Sequence, residues 1–111
     1  MIENVNAVTK KGLTALMTAA VNNHLDVVVS LMNHPGINLN VQGDKNMTAL
    51  HVAVHKDRLA ILAQLLSDHR IDTSLKDYFN GRKRTPLKLA KELGSRDECV
   101  KILREHGAPE E

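Results

Sequence analysis

Tryptophan is absent from this 111-residue chain, and phenylalanine, tyrosine and cysteine occur once each, as Phe79, Tyr78 and Cys99. A core without large aromatics has to be built from closely packed Leu, Val, Ile, Ala and Met. That suits stacked helices better than a sheet sandwich, where aromatic and β-branched residues are favoured. One cysteine excludes an internal disulfide and offers no cysteine framework for zinc. A reducing compartment is therefore expected, the cytoplasm first and the nucleus as the alternative. No apolar run approaches the roughly 18 residues that span a bilayer, so no membrane partner is expected. Met1-Ile2-Glu3-Asn4 carries no charged-then-apolar leader. Neither sign of charge dominates, with 15 basic against 13 acidic residues and a net charge of +2, a balance that by itself does not point to nucleic acid. The phosphate-cradling and nucleophile patterns G-x-x-x-x-G-K, G-x-G-x-x-G and G-x-S-x-G are missing too. No catalytic residue, cofactor or enzyme activity is expected.

What the chain does have is an internal repeat. Thr14-Ala15-Leu16-Met17-Thr18-Ala19-Ala20, Thr48-Ala49-Leu50-His51-Val52-Ala53-Val54 and Thr85-Pro86-Leu87-Lys88-Leu89-Ala90-Lys91 align, with the second threonine 34 residues after the first and the third 37 after the second. Asn6, Asn40 and Ser74 repeat in a matching register. Each threonine stands where a helix N-cap belongs, its hydroxyl free to accept from open backbone N–H groups. Pro86 falls at the first helical position, where its missing N–H costs nothing. Leu59, Leu62, Leu65 and Leu66 recur on one helical face, as do Leu25, Val28, Leu31 and Met32. Cys99 falls at the position of Val27 and Ile61, which predicts a buried, inert thiol. Each unit thus reads as turn, short helix, turn, longer helix and return loop, with units at about 9–42, 43–76 and 77–108 in a single domain, 1–111. A pair of short helices cannot bury its faces alone, and stacking about three of them completes a core.

These Thr-[Ala/Pro]-Leu-x-x-Ala segments, with Val-Val and Leu-Leu pairs downstream, resemble the ankyrin repeat over nearly the whole chain. The resemblance implies an all-α solenoid of stacked antiparallel helix pairs with projecting β-turn fingers. It further implies protein recognition through the finger tips and the concave helix face. Carried onto this chain, the tips are Lys10, Lys11 and Leu13, then Asp44, Lys45 and Met47. The inner-helix ends are Val21 and Asn22, His55 and Lys56, Glu92 and Leu93. Leu13 and Met47 are expected to form a small exposed apolar strip. Only His51 keeps the family's histidine, which ties neighbouring turns together; Met17 and Lys88 replace it elsewhere, implying looser joints. His51 and His55 share a helical face, but no glutamate follows the first, and a metal site is not expected.

Two departures bear on function. Lys88, Lys91, Glu92, Lys101, Arg104 and Glu105 make the third unit polar where the others are apolar, the composition of a terminal cap. At the other end, Asn4-Val5-Asn6-Ala7 resembles the close of a preceding unit, so the chain is either reduced there or cut from a longer array. The stretch Asp77–Arg84 is about three residues longer than its counterpart before Thr48 and holds both aromatics followed by three cations. Aromatic and arginine side chains dominate binding hot spots. Tyr78, Phe79, Arg82 and Arg84 are therefore candidate contacts, with the alternative that the two rings fold back onto the second unit. The expected role is a monomeric, non-catalytic interaction module for a protein with an acidic or mixed surface. The alternatives are an adaptor fragment of a larger protein, an enzyme inhibitor, or a nucleic-acid binder using the aromatic-basic stretch.

Overall fold

Three threonines start the fold. In the computed structural model, which describes residues 4–110, Thr14 Oγ1 accepts from the Met17 N–H at 3.1 Å, Thr48 from His51 at 3.3 Å and Thr85 from Lys88 at 3.2 Å. Behind these caps run α1 (Ala15–Val21), α3 (Ala49–His55) and α5 (Pro86–Leu93). Each is followed after three residues by a partner helix: α2 (Leu25–Met32), α4 (Leu59–Leu66) and α6 (Asp97–Glu105). Gly94, left-handed at φ 75°, ends α5, which is one residue longer than α1 or α3. Met1, Ile2 and Glu3, the start of the leader reading, lie outside the described residues.

The helices pack pairwise, α1 with α2, α3 with α4 and α5 with α6. Across pairs, α3 touches both α1 and α5, while α4 touches both α2 and α6. Leu50, Ile61, Leu62, Leu65, Leu87, Cys99 and Leu103 are fully enclosed in the resulting core. Arg104 is exposed where the equivalent Met32 and Leu66 are buried. The expected equivalence of Val27 with Ile61 and Cys99 fails in one respect. Ile61 and Cys99 are fully buried, whereas Val27 is 41% exposed, and Leu25 and Val8 are exposed as well. Among the described residues no helix pair packs on that side of α2.

Polar side chains tie the pairs together. Asn40 donates from Nδ2 to the Arg70 carbonyl and accepts from the Asp72 N–H; Asn6 makes the same two bonds to Gly36 and Asn38. Ser74, next in that register, bonds locally to Asp72 instead. Arg58 and Arg96, at the N-caps of α4 and α6, donate to carbonyls ending the previous inner helix: Val21 for Arg58, Val54 and His55 for Arg96. Helix ends leave such carbonyls without intrahelical partners, so each arginine joins two repeats at a point where the backbone needs a donor.

The long third connection is not an irregular loop. Asp77–Phe79 (β1) and Arg82–Arg84 (β2) pair antiparallel, with Asp77 opposite Arg84, Tyr78 opposite Lys83 and Phe79 opposite Arg82. Asn80 and Gly81 turn the corner at φ 52° and 76°, the positive values that a two-residue type I′ hairpin requires.

Candidate functional site

The hairpin sorts its side chains by the period of two that governs any strand. Asp77, Phe79, Arg82 and Arg84 share one face, and Tyr78 and Lys83 the other. The two aromatics, adjacent in sequence, are thereby sent in opposite directions. Phe79 turns toward the helices and lines a cleft; Tyr78, 49% exposed, does not.

The cleft encloses about 270 Å³. Leu89, buried, and Leu93, half-buried, supply its apolar floor from α5. Met47, from the second finger, and Phe79 form its sides, and Lys45 and His55 stand exposed at its mouth. The Phe79 ring remains 40% exposed although Lys45 Nζ lies 5.4 Å from its centroid and the Arg84 guanidinium 5.8 Å. A cation at this distance from a ring face is attracted to it, so Lys45 and Arg84 help hold the ring at the cleft without covering it.

Asp77 and Arg84 close the back of the cleft. Asp77 is 1% exposed, and its carboxylate accepts from the Arg84 backbone N–H at 3.1 Å and from Nη2 at 2.9 Å. Arg84 also pairs with Glu92 at 3.6 Å, and Arg82 donates to Glu92 at 2.7 Å. The run of three cations read from the sequence is therefore largely spent within the fold: Arg84 braces the hairpin against itself and α5, Arg82 braces it against α5, and Lys83 points outward.

His51 holds the hairpin from below. Its Nδ1 accepts from the Thr48 N–H at 3.2 Å, so Nε2 carries the proton and donates to the Arg84 carbonyl at 2.8 Å. Burial pushes the ring's pKa below its ordinary 6.5, and Arg84 adds to the effect while the bond to its carbonyl and Asp77 oppose it. Both nitrogens are used in this way, and among the described residues no group of three or more His, Cys, Asp or Glu could hold a metal ion. His55 is also lowered, by partial burial first and then by Lys56, Arg96 and Arg84. Every charged group acting on it is a cation. Cys99 is enclosed beside Asp57, and burial and that carboxylate raise its pKa to about 11, which keeps it a thiol at neutral pH.

Of the sequence-derived candidates, the structure brings Lys45, Met47, His55, Phe79 and Arg84 to this one cleft. Lys10 and Lys11 are exposed on the first finger, apart from its lining. Leu13 and Met47 are half-buried against the core and do not form the exposed strip expected of them. Asp44 pairs with Lys45 at 3.3 Å. Sequence reasoning missed Leu89, which reads as plain core at the position of Thr18 and Val52, and Asp77, whose partner lies seven residues away across an unrecognised hairpin. No described helix is long and apolar enough to cross a membrane.

The chain belongs to the ankyrin-repeat family: the family model for ankyrin repeats in three copies matches residues 1–77 and again 44–110. Proteins of this family are general protein-interaction modules. Over 106 residues the chain is 32% identical to SMC5-SMC6 complex localization factor protein 1 of Bos taurus and 31% identical to the Homo sapiens protein of that name. Each alignment covers 96% of this chain but only 10% of the relative. The chain thus spans about a tenth of the length of these curated relatives.

Proposed function

We propose that the protein is a non-catalytic protein-binding module whose partner meets the cleft between the second finger, the hairpin and α5. The observation that carries this reading is Phe79, an aromatic ring fixed by two cations yet left 40% exposed over an apolar floor. Rings immobilised before binding contribute contact area at little cost in ordering. The wider solenoid, with its units at about 9–42, 43–76 and 77–108, acts as a rigid frame that holds finger and hairpin in register. A monomer in a reducing compartment, cytoplasmic or nuclear, fits the single cysteine, buried as a thiol.

One further reading has its own support. The relatives are about ten times longer and are named for localizing a complex, which favours a role as the recognition part of a larger adaptor. Nucleic-acid binding has less support than the sequence offered, because Arg82 and Arg84 are engaged by Glu92 and Asp77. Capture from cell lysate tests the proposal. A folded Met47→Glu variant should lose a protein that wild type and Tyr78→Ala both retain. Equal retention by all three would remove the cleft from the account.

A further inference from the structure

The cleft's dimensions and surroundings define what it takes. At about 270 Å³ it lies just below the roughly 300–1,000 Å³ of sites that enclose small molecules, and it suits one large side chain. Its walls there are Met47 and Phe79 and its floor Leu89 and Leu93, all apolar. The charged groups around it are mostly paired, Lys45 with Asp44 at 3.3 Å among them. Asp77 is consumed by Arg84, and Glu92 by Arg82 and Arg84. At the end of α3, by contrast, Arg96 spends its donors on Val54, Ser95 and His55 backbone or hydroxyl oxygens, which leave its charge uncompensated. Lys56 is exposed beside it, and among the described residues no carboxylate pairs with either. His55 is depressed first by partial burial, and Lys56, Arg96 and Arg84 add to that effect as neighbouring cations.

We propose that the cleft binds an extended acidic segment of a partner protein, seating one large aliphatic or aromatic side chain between Met47 and Phe79. The neighbouring carboxylates of that segment lie toward Lys56 and Arg96, at the end of α3. This inference rests on the reading of the protein as an interaction module and adds the chemistry of what it recognises.

The test uses synthetic peptides of about twelve residues, which span roughly 40 Å when extended, matching the 39 Å longest dimension of the molecule. Their centre is Leu, Phe or Ser and their flanks are Glu-rich, Ser/Gly or Lys-rich; fluorescence anisotropy of the full chain reads binding. Glu-flanked Leu or Phe peptides should bind about tenfold more tightly than their Ser-centred counterparts, the effect of burying one such side chain. They should also bind more tightly than the Lys-flanked series, an advantage that Lys56→Glu reduces. Phe79→Ala, or Met47→Gln should the first variant fail to fold, should abolish the preference for Leu and Phe. Tyr78→Ala, on the opposite hairpin face, should leave it intact. Equal affinity across flanks, or tighter binding of the Lys series, overturns the inference while leaving an interaction module in place. No binding by any peptide, or binding only of a single-stranded oligonucleotide run in parallel, also overturns it. Lysate capture by wild type then decides separately whether the broader reading survives.

Discussion

Nε2 of His51 lies 2.8 Å from the carbonyl oxygen of Arg84, so a side chain of the second repeat fixes the end of the hairpin that begins the third. The His51 ring is fully buried, and the bond it makes is part-buried. Removing the ring in His51→Ala strands the Arg84 carbonyl and the Thr48 N–H. Loss of a buried partner costs about 1–3 kcal/mol, and chemical denaturation should show a destabilisation of at least that size. The hairpin amides should also exchange faster with solvent than in wild type.

The same ring makes stability depend on pH. Its folded-state pKa lies below the ordinary 6.5, with burial as the main cause. As pH falls through about 6.5, the unfolded chain takes up a proton that the folded chain refuses, and stability declines until the folded ring titrates. Above that range the histidine contributes no slope. Melting temperature should therefore be lower at pH 5.5 than at pH 7.5, and His51→Gln should flatten that difference. An unchanged slope in the variant would assign the effect to other groups.

Leu62 and Leu65 are fully enclosed on one face of α4. Leu→Ala at either position should cost about 2–5 kcal/mol, the usual range for emptying a buried leucine site. Losses under about 1 kcal/mol at both, measured by urea unfolding, would be inconsistent with the helix register described above.

The first two fingers meet at Gly43. A Cβ there would lie 2.2 Å from the Gly12 carbonyl oxygen, beside the bond from the Asp44 N–H to that same oxygen at 2.8 Å. Gly43→Ala should push the fingers apart and displace Met47 from the cleft. The expected outcome is weaker partner capture with secondary structure retained by circular dichroism; undiminished capture would show that finger spacing is immaterial.

The division between what could and could not be read from sequence follows the range of each interaction. Thr14, Thr48 and Thr85 act on amides three residues away, so their caps and the helices behind them were legible from pattern alone. The hairpin carried its own local sign, Asn80-Gly81, but its strands lack alternating apolar residues, and Arg82-Lys83-Arg84 reads as a solvated run. Once that register is missed, the Asp77–Arg84 pair and the opposite facing of Tyr78 and Phe79 are missed with it. The exposure of Val27 could not be read either, because it depends on which helix pair packs alongside. Arg58 and Arg96 occupy equivalent positions, yet their acceptors are carbonyls 37 to 42 residues away, a relationship only the packed repeats create.

Photo-crosslinking from the two faces of the hairpin tests the central claim most directly. Benzoylphenylalanine placed at position 79 or at position 78 of the full chain samples the cleft and the opposite face from neighbouring residues. The account predicts a discrete protein adduct from position 79, suppressed by Met47→Glu, and little or none from position 78. An adduct from position 78 alone would contradict it and place recognition on the outer face of the hairpin.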